Sequence, residues 1–366
     1  MQRFTTDAGA QTRTQGGKRR RTMLKHTLLL AAVAGLVFAL APAAGAATYT
    51  WDEHVSGEWT DQTNWEDEAS GYPDAAGDTA RVESWVVDPP PLTVNVSDPV
   101  TVGILNATDT GDGDSKNVGV DFTASDDGQI TFDNNGSGAS LLTGRYFGTY
   151  NISVPIVMAD DLTMQYGFHS DMNVSSTISE TGGSYKLTIE DYGKMRNGTW
   201  RMYGSSPNTY SGGTFVEING QVRSDNPKLK LDKDGALGTG DVEVGSAMDG
   251  YLWITSSGGD EDRIDNSAAL KLIDASIDDG EDTTPYTLRL DADVTETVAE
   301  LYFDGTQQEA GWWGSTSTTN TDVPAGHQND TYFSGQGALY VIPEPATLAL
   351  LGLGAVGTLV ARRRRK

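Results

Sequence analysis

Apolar and polar residues alternate in short runs along most of this chain. In LTVNVS, Leu92, Val94 and Val96 alternate with Thr93 and Asn95. YKLTIED puts Leu187 and Ile189 on one face, TFVEING does the same with Val216 and Ile218, and DVEVGS with Val242 and Val244. TLRLDADV sets Leu288, Leu290, Ala292 and Val294 against Arg289, Asp291 and Asp293. A period of two is the signature of a half-buried strand. Gly, Asn and Asp clusters such as DNNGSG and SSGGDED punctuate the runs as turns. No window of a dozen residues between 48 and 341 carries a helical stripe, so the body is predicted to be all-β. A β-solenoid and a β-sandwich both satisfy this pattern.

Two segments break the alternation, and both are predicted to be helical. Met23–Ala47 has a basic start, an apolar run from Leu28 to Leu40, and Ala44-Gly45-Ala46 at its end. This is the pattern of a secretory signal peptide cut by signal peptidase after Ala46 or Ala47. Residues 1–22 lengthen its basic region. Either Met23 is the true start, or the paired arginines in RRTMLK (Arg20–Lys25) serve twin-arginine export. The second segment, Ala346–Ala361, is apolar or small throughout. At about 1.5 Å per residue it spans roughly 24 Å, short for a bilayer core of about 30 Å. Arg362, Arg363, Arg364, Arg365 and Lys366 follow and should stop it on the cytoplasmic side. Pro343 and Pro345 prevent helix from continuing into the body.

The order Pro343-Glu344-Pro345, apolar span, basic tail resembles the PEP-CTERM sorting signal, a C-terminal module also named after ice-binding proteins. The resemblance implies a membrane protease partner, exosortase, that cuts near Pro343, Glu344 and Pro345 and passes the protein to the surface. The expected division is a signal peptide over 1–47, a body over 48–341 and a sorting segment over 342–366.

Within the body, Asn208–Val244 resembles the autotransporter-associated repeat. The matches are Asn208, Tyr210, Gly212, Gly213, Thr214, Gly220, Ala236, Leu237, Gly238, Gly240 and Val242. That resemblance implies a right-handed parallel β-helix. The insertion NPKLKLDKDG departs from the repeat, and one copy is clear. The opening segment, with Trp51, Trp59 and Asn64-Trp65, and the closing stretch around Leu301–Gly337 resemble the ends of the same proteins. Stacked coils expose an apolar end that must be covered. The tryptophans suit a cap; indole faces also suit sugar stacking. Val216, Ile218, Val242, Val244, Leu288 and Leu290 are expected inward, and the acidic residues outward.

Composition narrows the function classes. There is no cysteine, which excludes disulfides and thiolate metal sites. Residues 48–343 hold 14 of the 26 cations and 49 of the 51 acids, a net charge of −35. Such a body repels nucleic acid and attracts divalent cations. Catalytic patterns are weak: HExxH, GxSxG and a phosphate loop are all missing. His54, His169 and His327 are isolated, and the pairs Asp126-Asp127, Asp160-Asp161 and Asp278-Asp279 fit a solvated surface. Asp109, Asp112 and Asp114 in DTGDGDS offer hard oxygen ligands to calcium, without the spacing of an EF-hand. The expectation is a non-enzymatic structural or adhesive protein associated with extracellular polysaccharide or biofilm matrix. The alternative is a polysaccharide lyase or hydrolase on the same scaffold, with Lys194 and Arg196 beside Asp191 as its nearest basic-acidic group.

Overall fold

Each alternating run forms a strand, and the strands are dealt in turn to separate sheets. The computed structural model describes residues 46–343, apart from 53–54, 67–70, 83–90, 109–118, 145–147, 168–169, 192–197, 220–227, 249, 257–261 and 274–286. The signal peptide, the apolar tail, Glu344 and Pro345, Asp109, Asp112 and Asp114, and Lys194 and Arg196 all lie outside the described residues.

The course of one circuit explains the architecture. Pro99–Val102, Ile104–Ala107 and Val120–Ala124 lie in three different sheets. Gln129–Phe132, Ala139–Thr143 and Gly148–Ile152 return to those sheets in the same order, each pairing parallel with its predecessor. Ile156–Met158, Leu162–Tyr166 and Ser170–Val174 repeat the circuit. The result is a 12-stranded, a 10-stranded and a 4-stranded sheet, consistent with a β-solenoid. The sandwich alternative fails because strands adjacent in sequence enter different sheets, so pairing is parallel between circuits. Among the described residues, antiparallel pairs occur only near the two ends, as Trp51↔Trp65, Phe303↔Thr306 and Trp313↔Leu339.

Alternation in the strand becomes stacking between coils. In the 12-stranded sheet the inward row runs Leu105, Leu141, Met164, Ile189, Val216, Val244, Leu272, Phe303. The 10-stranded sheet contributes Val94, Phe122, Ile152, Val174, Met202, Leu231, Ile254, Leu290. All of these are buried. Of the residues expected inward, Val216, Val242, Val244, Leu288 and Leu290 are in the core, and the side chain of Ile218 lies outside the described set.

The first coil is closed by indoles. Trp65 packs edge-on against Trp51 at 4.9 Å and Trp59 at 5.0 Å. The three indole N–H groups donate to the carbonyls of Val55, Pro73 and Trp59. With Trp51 and Trp59 fully enclosed, this cluster is a cap and has no face left for a sugar.

The third side of the coil changes character along the chain. Its 4-stranded sheet ends with Ile178–Glu180, while the other two sheets continue. Between that strand and Thr295–Val298, buried side chains join coil-to-coil backbone bonds such as Thr209 N–H to the Ile178 carbonyl in satisfying the chain. Asn208, 2% exposed, accepts from the Ile178 N–H at 2.8 Å and donates to the Ala236 carbonyl at 2.6 Å. Lys233 Nζ donates to the Ser176 carbonyl at 2.7 Å and to Asn208 Oδ1 at 2.8 Å. The Glu296 carboxyl accepts from the N–H groups of Ile264 at 2.7 Å and Arg263 at 3.2 Å. Glycines make the corners possible. A Cβ on Gly212 would sit 2.2 Å from the Tyr185 carbonyl carbon, and Gly238 takes φ +72° against the Tyr210 carbonyl.

The expectation that acidic residues lie outside is therefore corrected at four positions. Glu296, Asp78, Asp160 and Asp232 are 0–7% exposed. Asp160 accepts from the N–H groups of Gly136, Gly138 and Asp161, and Asp78 from those of Ala47 and Asp74. Carboxylates here stabilise turns whose N–H groups face inward, which offsets their desolvation.

Residue parity gives a direct test. Leu141→Ala, on the inward row, should destabilise the fold by about 2–5 kcal/mol, whereas Leu142→Ala, on the outward row, should cost about 1 kcal/mol or less. Urea unfolding followed by circular dichroism compares the two.

Candidate functional site: an outward row and the C-terminal exit

Groups with displaced proton affinity are the first place to look for chemistry. Two stand out. Burial pushes Glu296 up to about 8, against its two backbone hydrogen bonds. Burial brings Lys233 down to about 8, and its partners are neutral oxygens. Both side chains are enclosed in the coil, at 0% and 2% exposure. A substrate cannot reach them, and their hydrogen bonds account for their placement. Arg263, 2% exposed, belongs to the same layer, donating to the Thr255 carbonyl at 3.3 Å.

The other sequence candidates disperse. His327 stacks on Trp313 at 4.1 Å, and its Nδ1 lies 2.9 Å from the Trp312 carbonyl, a place in the C-terminal cap. His54, His169 and the pair Asp278-Asp279 lie outside the described residues. Asp126 and Asp127 are exposed, and Asp160 and Asp161 bind backbone N–H groups. Among the described residues no three His, Cys, Asp or Glu side chains converge to hold a metal.

The outer face of the 10-stranded sheet carries an ordered constellation. One residue per coil forms a continuous outward row: Thr93, Asp121, Asn151, Asn173, Arg201, Lys230, Trp253, Arg289, Ser334. Its first half is linked by amides. Asn173 donates to Asn151 at 3.0 Å, and Asn151 to Asp121 at 2.6 Å. Its second half is cationic and aromatic. Lys230 and Arg289 lie 5.2 and 4.8 Å from the centre of the Trp253 ring, and Lys228 at 5.6 Å. Arg201 stacks on Tyr203 at 4.8 Å. Asp232 takes the Arg201 guanidinium, the Lys230 ammonium at 3.2 Å and the Thr255 hydroxyl. Asp291 accepts from Trp253 Nε1 at 2.8 Å, which fixes the ring. Sequence inspection missed this row because its members are separated by coils of unequal length.

At the other end of the body, the last strand, Ala338–Val341, runs between Thr295–Val298 and Gly311–Trp313. Ile342 N–H still donates to the Val298 carbonyl at 3.0 Å. Pro343 follows at once, in a groove lined by Ala299, residues 307–310 and residues 341–343. The described fold ends at this residue.

Residues 341–365 match the PEP-CTERM protein-sorting motif. The PEP-CTERM motif marks an exported protein that is sorted at the membrane and then reaches the surface or the medium. Motifs of this kind are processed by an exosortase-type membrane protease. The match begins in the final strand, so body and signal share Val341. No family match supports the autotransporter-like resemblance of the body. No curated protein and no solved structure matches the chain. Among the described residues no helix is long and apolar enough to cross a membrane; the apolar tail lies outside them.

Glu296 makes stability depend on pH. Its proton affinity is higher folded than unfolded, from an ordinary 4.5 to about 8. Its contribution is complete below about pH 4.5 and is lost as pH rises to about 8. Urea midpoints measured from pH 5 to 8.5 should fall more steeply for the native protein than for Glu296→Gln, which stays neutral throughout.

Proposed function

We propose that this protein is a non-enzymatic structural or adhesive component of the cell surface, associated with extracellular polysaccharide. The observation that carries the reading is the join at Val341–Pro343, where a body consistent with a solenoid runs directly into the PEP-CTERM motif. A stack of coils gives a long, rigid surface on which one residue type can recur at each level. This suits contact with a polymer better than turnover of a small molecule. The buried groups with shifted proton affinity serve the coil, which also favours a structural role. We take the coil as right-handed and residues 346–361 as the membrane span held until sorting. Calcium bridges the acidic body to neighbouring polyanions in this proposal, with Asp109, Asp112 and Asp114 as its first contacts.

Cell fractionation and mass spectrometry of the termini test the export account. Deletion of residues 346–366 should move the protein from membrane and surface fractions to the medium, with its β-type circular dichroism intact. Retention of the truncated chain in the membrane would contradict it. Release of reducing or unsaturated sugars from an extracellular polysaccharide by the purified protein would overturn the non-enzymatic reading.

A further inference from the structure

We propose that the cationic half of the outward row, from Arg201 to Arg289, is a binding site for a carboxylated polysaccharide. The proposal deepens the functional reading above, since it names the polymer class and the face that takes it.

The first argument is charge placement. Arg201, Lys228, Lys230 and Arg289 are four of the 14 cations in residues 48–343, and they lie on neighbouring strands of one sheet. Positions Arg201, Lys230, Trp253 and Arg289 hold three cations and no acid, in a body with 49 acids. Like charges at adjacent positions of a sheet destabilise it. Among the described residues Lys228 forms no ion pair, and the Arg201 and Arg289 side chains are 40% and 39% exposed. Asp232 pairs with Arg201 and Lys230, and Asp291 lies 3.7 Å from Arg289, so four cations against two acids leave the cluster a surplus of two positive charges that attracts an anion.

The second argument is ring chemistry. Trp253 is fixed by Asp291, and Tyr203 lies beneath Arg201. Aromatic faces interleaved with guanidinium and ammonium groups suit a sugar ring bearing a carboxylate. The ring packs on apolar surface while the carboxylate takes a charge-assisted hydrogen bond.

The third argument selects a thin polymer over a second copy of this chain. Screening confines electrostatic contact to about 10 Å at 0.1 M salt. A single polysaccharide strand lying along the row stays within that distance of the cations. A second body would bring its own net charge of −35 against the surrounding acidic surface.

Binding of the purified full-length protein in detergent to polygalacturonate, measured by calorimetry with EDTA present, tests the proposal. EDTA removes calcium bridging, so a failure here leaves the export account and the calcium contact untouched. The native protein should bind polygalacturonate at 50 mM salt, weaken steeply at 300 mM, and leave neutral dextran unbound. Lys228→Gln with Arg289→Gln should weaken binding at least tenfold, whereas Arg81→Gln with Lys186→Gln should not change it. The first pair spares the buried Asp232 contacts and the Trp253–Asp291 hydrogen bond and removes only the part-exposed Arg289–Asp291 pair at 3.7 Å, so its melting temperature should stay near native. Equal binding by both double variants would overturn the proposal. So would equal affinity for dextran, tighter binding to vesicles rich in anionic phospholipid, or self-association abolished by the same substitutions.

Discussion

Every inward-facing backbone N–H and C=O in a coil must find a partner, and this single requirement organises the body. On two sides of the coil the neighbouring coil supplies it as a parallel strand. On the third side strand pairing lapses between Ile178–Glu180 and Thr295–Val298, and there side chains join the backbone bonds that remain between coils. Asn208 stands in for a strand at Ile178 and Ala236, and Glu296 at Arg263 and Ile264. An unpaired buried amide costs about 1–3 kcal/mol, so each substitute group is worth keeping despite its own desolvation. The burial of Lys233 and Glu296 follows from this gap, while Asp78 and Asp160 are buried by the turns they hold.

The same logic separates structural from surface chemistry. Glu296 and Lys233 have the displaced proton affinities that elsewhere mark active sites, yet both are sealed in the coil. The chemistry open to a partner lies on the outside, where the repeat of one residue per coil lets separate parts of the sequence form one line. Three cations lie within 5.6 Å of the centre of the Trp253 ring, whose negative π face offsets part of their mutual repulsion. The cationic row stands out as a narrow positive strip on a body whose net charge is −35.

Much of the coil was legible in the sequence because burial in a strand has a period of two. Val242 and Val244, and Leu288 and Leu290, declared their face by alternation, whereas the spacing of Trp51, Trp59 and Trp65 fitted a cap and a sugar platform equally until their burial was seen. The glycine corners at Gly212 and Gly238 were legible through the repeat-like pattern. The third side was not. Nothing local distinguishes Lys233 from a solvated lysine, and its carbonyl partner at Ser176 is 57 residues away. Glu296 meets Ile264 across 32 residues. The outward row was hidden for the same reason: Arg201, Lys230, Trp253 and Arg289 become neighbours only once coil length is known.

The strand that ends the body also fixes how the protein bears load. Ala338–Val341 is flanked on both edges, parallel to Thr295–Val298 and antiparallel to Gly311–Trp313, and Ile342 adds one more bond to Val298. A tug on the tail directed along this strand acts in shear. It strains the bonds on both edges together, where a tug on an outer strand would open them one after another. A pull transmitted through Ile342 is thus shared across the three strands of this sheet.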